Sequence, residues 1–249
     1  MMGFMAAVQF LLISPAFIRR EFTPQEMGRA TGFYPVVGLL LGVLLAGADF
    51  LLGHLFPVPV RSALVLALWL VLTGGLHFDG FLDSCDGLFG GATPERRMEI
   101  MRDERVGAYA LAGGALLMLI LFSSLSAITE ERWAVLLLAP VLGRWGITLA
   151  VTAFPYGRPA GLGRDIKNHA TRWQAVIATL SAAAVVAALT WALQTYEPLV
   201  ALLSATVVWG MSSALILRRI PGMTGDTYGA IDMLIETVVL LVCTAAPWS

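Results

Sequence analysis

The chain has 249 residues, 58% of them hydrophobic and 13% charged, whereas soluble domains run near 45–50% apolar and about 25% charged. One water-soluble core of this length cannot hide so much apolar surface, so the bilayer is its expected solvent. The formal net charge is −1, and Lys167 is the one lysine among 16 cationic residues; this excludes a polyanion-binding protein, nucleic-acid binders included, and leaves positive charge to arginine.

A spanning helix needs about 20 mostly apolar residues. In chain order, a short apolar helix is expected over 4–17, with Pro15 near its end, lying in the interface or re-entering the membrane. Residues 1–17 lack a basic start ahead of the apolar run, so no cleavable signal is expected. Seven spans follow, over 33–52, 62–76, 108–128, 133–154, 173–193, 199–217 and 231–246. The second is the least complete, because its apolar run breaks at Gly74-Gly75 and leads into an acidic stretch. The predicted fold is therefore all-α, a polytopic integral-membrane bundle forming one catalytic domain over 1–249. The two cysteines, Cys85 and Cys243, match neither a disulfide framework nor a zinc site and read as small space-filling residues.

Basic residues orient these spans. With the N-terminus inside, the cytoplasmic segments hold thirteen: Arg19, Arg20 and Arg29, then Arg96, Arg97, Arg102 and Arg105, then Arg158, Arg164, Lys167 and Arg172, then Arg218 and Arg219. The opposite side holds only Arg61 and Arg132. That asymmetry predicts that the polar loops 77–107, 154–172 and 218–230 face the cytoplasm, with the chemistry among them.

The densest polar feature runs from His77 to Gly87 and contains Asp79, Asp83 and Asp86. On a helix these three carboxylates fall within about 60° of arc. Crowded acids at a membrane boundary are unfavourable unless a cation joins them, and oxygen ligands suit Mg²⁺. Asp79, Asp83 and Asp86 are thus the expected metal ligands. Gly80 and Gly87, each costing a helix roughly 1 kcal/mol relative to Ala, are expected to let a ligand approach the backbone. Thr93, Pro94 and Glu95 then predict a helix start, with the helix continuing through Arg105. On it, Arg102 or Arg105 is expected to clamp phosphate oxygens and Asp103 to add a metal or hydroxyl contact.

Between the fourth and fifth spans, Gly161-Leu162-Gly163-Arg164 forms a flexible basic loop. Arg144, inside a span, needs an acid or a phosphate as partner. Between the last two spans, a turn containing Thr224 and Gly225 offers hydroxyl and N–H groups to a phosphate, with Asp226 as a further ligand or base. Asp232 and Glu236 follow, one helical turn apart in the last span.

These blocks resemble the cobalamin synthase family, the adenosylcobinamide-GDP ribazoletransferases of cobamide biosynthesis. The resemblance rests on Thr73-Gly74-Gly75-Leu76-His77-Phe78-Asp79-Gly80 with Asp83, Asp86 and Gly87; on Glu99-Ile100-Met101-Arg102-Asp103 with Arg105 and Gly107; on Gly161-Leu162-Gly163; and on Thr224-Gly225-Asp226 with Gly229, Ala230 and Glu236. It implies an inner-membrane enzyme in which a hydroxyl of α-ribazole, or of its 5′-phosphate, attacks adenosylcobinamide-GDP and releases GMP. Mg²⁺ is the implied cofactor. The implied catalytic residues are Asp83, Asp86, Asp103 and Asp226, with Glu236 added to the metal ligands. His77, Arg102, Arg105, Arg144, Gly161, Gly163, Thr224 and Gly225 are the implied substrate contacts. Membrane lipid is a further partner, and a homo-oligomer is left open. The aspartate spacing resembles, more loosely, that of CDP-alcohol phosphotransferases. An ion-coupled transporter would instead place its acids near the midplane in paired halves.

Overall fold

The computed structural model describes residues 2–245; the expected end of the last span at 246 lies outside them. The helices are α1 (Met2–Leu11), α2 (Pro24–Ala30), α3 (Tyr34–Leu52), α4 (Val58–Leu72), α5 (Leu76–Gly90), α6 (Pro94–Ile100), α7 (Ala108–Ala127), α8 (Arg132–Ala153), α9 (Leu162–His169), α10 (Arg172–Leu193), α11 (Glu197–Arg219) and α12 (Gly225–Ala245). No strand occurs among the described residues. Six stretches are long and apolar enough to cross a membrane, and α4 with α5 forms a bent seventh. The bundle is thus polytopic and helical, as the apolar runs imply. At about 15 Å, α1 is too short to cross.

Three of the expected elements end early, the first being the N-terminal apolar helix, expected over 4–17, which stops at Leu11. The second span stops at Leu72, because Gly74 and Gly75 take φ of +61° and +69°, left-handed values that glycine adopts without strain. The chain then turns 89° into α5. The helix that starts at Pro94 ends at Ile100 rather than running through Arg105, which leaves Asp103 and Arg105 in an exposed loop.

The central helix is α8, with 89% of its most apolar window buried, whereas α10 and α11 bury 22% each and present the rest outward. Pro140 inside α8 lacks the N–H that would bond the Leu136 carbonyl. That carbonyl lies against Gly42 of α3, where a Cβ would come within 2.6 Å. Small residues at such crossings let membrane helices approach closely.

At the end of the bundle away from the polar loops, Asp49 receives both arginines that the charge count put there. Arg132 Nη2 lies 2.7 Å and Arg61 Nε 3.3 Å from Asp49 Oδ1. Arg132 also donates to Ser62 and to the carbonyls of Leu125 and Ile128. This cluster ties α3, α4 and α8 together.

Candidate active site

The site forms where α5 and α12 cross. Gly80 presses on the start of α12, so that a Cβ there would lie 2.8 Å from the Asp226 carbonyl; a Cβ at Gly229 would lie 2.9 Å from that of His77. Glycine on both helices brings Asp226 beside Asp79 and Asp83. Asp83, half-buried, feels the charges of Asp79, Asp226, Arg158 and Asp86. The expected use of Gly87 is therefore corrected: it serves helix packing, since a Cβ there would lie 2.9 Å from the Arg97 carbonyl, whereas Gly80 both packs against α12 and lines the cavity described next.

A pair of backbone bonds completes the site. The Gly157 N–H donates to the Met223 carbonyl at 2.7 Å, and the Met223 N–H donates to the Pro155 carbonyl at 2.8 Å. The loops after α8 and α11 are locked together, and Arg158 Nη2 reaches Asp226 Oδ2 at 2.6 Å. Thr224 Oγ1 donates to the same oxygen at 3.2 Å. A cavity of about 260 Å³ opens here, with Asp79, Asp226, Gly225, Gly163, His77 and Tyr228 on its walls. Two carboxylates therefore face an otherwise largely apolar and aromatic chamber.

Several expected site residues are employed elsewhere. Asp86 is buried and caps α7: Gly107 N–H donates to its Oδ2 at 2.6 Å and Ala110 N–H to its Oδ1 at 2.9 Å. A helix start carries unsatisfied N–H groups and partial positive charge, which a carboxylate satisfies. The structure thus takes Asp86 out of the expected carboxylate trio and supplies Asp226 in its place. Glu236 does not join the cluster; it lies ten residues beyond Asp226, about 15 Å along α12. It pairs instead with Arg144, whose Nη1 also lies 3.2 Å from Asp232 Oδ2. His77 Nδ1 is 2.9 Å from that same oxygen. Arg144 thus answers its need for a partner with interior acids. His77 alone lines both this buried network and the cavity.

Asp103 and Arg105 bond each other in their exposed loop, through Arg105 Nη2 to Asp103 Oδ2 at 2.7 Å. The Arg105 guanidinium holds the Asp103 carboxyl down at about 2. Neither reaches the cavity. Thr224 is fully buried, and its hydroxyl accepts from the Thr227 N–H as the cap of α12; its own N–H goes to Thr227 Oγ1. The turn's polar groups are spent internally, and of the expected phosphate cradle only Gly225 faces open space. Gly161 turns the chain at φ +112°, and Gly163 leaves room for the Tyr156 hydroxyl. Burial pushes the Tyr156 phenol up. Lys167 seats α9 by donating to the carbonyls of Val151 and Thr152 at the end of α8. Arg102 is exposed on a second groove, described below.

Arg158 and Tyr156 escaped the sequence reading. Arg158 figured there only as one charge in a basic loop, and no local spacing ties it to Asp226, 68 residues on. As placed, no three His, Cys, Asp or Glu side chains among the described residues converge closely enough to enclose a metal ion by themselves.

Fold and site together define a polytopic helical membrane protein with an arginine-braced carboxylate cluster at one end of its bundle. Residues 3–244 match the family model described as Cobalamin-5-phosphate synthase. The chain belongs to that family. It is 39% identical over 243 residues to an adenosylcobinamide-GDP ribazoletransferase of Pseudomonas fluorescens, covering 97% of this chain and 98% of that one. Proteins of the same name from Trichormus variabilis and Desulforamulus reducens are 37% identical over 214 residues and 36% over 238. The first match covers 84% of both chains; the second covers 94% of this one and 92% of its relative. No solved structure matches.

Proposed function

We propose that this chain is an adenosylcobinamide-GDP ribazoletransferase, acting as one integral-membrane domain over 1–249. A hydroxyl of α-ribazole, or of its 5′-phosphate, attacks the corrinoid-bearing phosphorus of adenosylcobinamide-GDP. The P–O–P bond breaks, the bridging oxygen leaves with GMP, and a phosphodiester forms. The observation that carries this reading is Asp79 and Asp226 on the wall of one cavity, with Asp83 close enough to feel both charges and Arg158 bonded to Asp226, in a chain whose named relatives align along nearly its whole length.

Phosphoryl transfer needs positioning and charge neutralisation more than covalent help. Three carboxylates against one arginine leave an excess of about two negative charges, which fits a divalent cation with hard oxygen ligands. Asp79, Asp83 and Asp226 would hold it. Mg²⁺ is commonly bound by one or two carboxylates plus substrate phosphates rather than by a closed protein cage, so an open carboxylate set suits it. Once bound, it would neutralise charge developing on the phosphate oxygens. Arg158 orients Asp226 and offers its planar fork to a phosphate oxygen. Asp83 or Asp226 takes the proton of the attacking hydroxyl. Tyr228 and Gly163 line the chamber, and Tyr156 packs against Gly163 behind it. The protein would sit in the inner membrane, and the arginine asymmetry supports a cytoplasmic position for this end of the bundle.

The test is purified protein in detergent with adenosylcobinamide-GDP, α-ribazole and Mg²⁺, assayed for GMP and for cobalamin. Stoichiometric GMP and cobalamin are expected. No GMP from a well-folded preparation would reject the reading.

A further inference from the structure

A second concavity, of about 360 Å³, is lined in part by Gly157 and Pro159, the residues on either side of Arg158. One wall is a face of α6 with the turn after it: Glu95, Met98 and Arg102. Pro159 and Pro221 stand opposite and offer no N–H groups. With Met98 they make an apolar slot. Glu95, exposed at one end, is in no ion pair among the described residues, whereas its neighbour Glu99 is held by Arg96 at 2.7 Å. Arg102 lies seven residues on, in the turn that follows α6, roughly 10 Å away if the rise of the helix is carried through that turn. Its charge reaches Tyr156, which also feels Arg158 and Asp226. Arg158 itself leans on the Met101 carbonyl. Along the groove the order is therefore carboxylate, apolar slot, guanidinium, then the carboxylate cluster.

We propose that this groove is the subsite for the guanine-nucleotide half of the substrate, with Glu95 as the residue that reads the base. The inference rests on the transfer reaction proposed above, whose leaving group is GMP. Guanine presents two adjacent donors, N1–H and the 2-amino group, and one ionised carboxylate accepts both. Adenine offers an acceptor at N1 and is repelled. The ring's faces suit the slot between Met98 and the two prolines, and Arg102 suits the diphosphate oxygens. The spacing from Glu95 to Arg102 matches the reach from a purine's hydrogen-bonding edge through its ribose to its phosphates.

The experiment is calorimetric titration of the purified full chain in detergent with GDP, IDP and ADP, where IDP lacks only the 2-amino group. Wild type is expected to favour GDP over IDP about tenfold, the worth of one charge-assisted hydrogen bond, and to bind ADP more weakly still. Both Glu95→Gln and Glu95→Ala should lose the GDP preference. Arg102→Ala should weaken all three nucleotides together. Equal binding of the three by wild type, or an unchanged GDP-to-IDP ratio in both Glu95 variants, overturns the subsite. GMP release is measured in parallel. Release by a wild type whose base preference ignores Glu95 rejects the subsite and keeps the reaction. A Glu95-dependent GDP preference without GMP release keeps the subsite and rejects the reaction.

Discussion

Arg158 donates to Asp226 across 2.6 Å, from a loop 68 residues away in sequence. The two residues meet because Pro155, Gly157 and Met223 exchange backbone hydrogen bonds, and because Gly80 lets α12 settle onto α5. Asp226 is thus positioned by residues that carry no reactive group themselves.

Removing that arginine should cost catalysis more than folding. Arg158→Ala is expected to lower the rate of GMP release roughly a hundredfold, about 3 kcal/mol of barrier. The ion pair is partly open to solvent, so the melting temperature in detergent should move little. Near-wild-type turnover would mean that Arg158 merely staples two loops.

Asp83→Asn keeps the shape of the side chain and removes its charge. Activity should fall by a hundredfold or more. Melting without metal should be no worse than for wild type, because a crowded carboxylate has been relieved. The rise in melting temperature that Mg²⁺ is expected to give the wild type should shrink or vanish. A variant that Mg²⁺ still stabilises fully would remove Asp83 from the metal-binding set.

Asp86 behaves in the opposite way. Asp86→Ala deprives the start of α7 of two bonds to a charged acceptor, and should destabilise the protein by about 2 kcal/mol. The Mg²⁺-induced shift should persist in whatever protein folds. Loss of that shift with unchanged stability would restore Asp86 to the metal set.

At the far end of the bundle, Asp49→Ala leaves Arg132 buried and Arg61 half-buried without their shared partner. A loss of roughly 3–5 kcal/mol is expected, read as a lower unfolding midpoint. Replacing Asp49, Arg61 and Arg132 together by apolar residues of similar volume should recover much of it. An Asp49→Ala protein as stable as wild type would show the cluster to be incidental.

Orientation can be read in intact cells. Ala92 and Glu130 are exposed at opposite ends of the bundle, and both native cysteines are buried. Of single cysteines introduced at positions 92 and 130, an impermeant thiol reagent should label only the one at 130. Labelling at 92 alone would place the carboxylate cluster outside.

Much of this protein is legible in one dimension. Apolar run length reports spans because the bilayer tolerates only backbone that satisfies itself. Gly74-Gly75 announces the break before α5, and Thr93 with Pro94 announces the start of α6, because both are local backbone effects. The shared helix of Asp79, Asp83 and Asp86 follows from 3.6 residues per turn. What a carboxylate does is not local. Capping a helix, pairing with a buried arginine and holding a cation all need the same group, and periodicity names a face without naming what that face meets. Only the packing of α7 onto α5 turned Asp86 into a cap. Only the approach of α8 to α12 gave Arg144 to Asp232 and Glu236. Only two loops joined backbone to backbone carried Arg158 to Asp226, a contact between residues whose separation in sequence leaves no periodic trace.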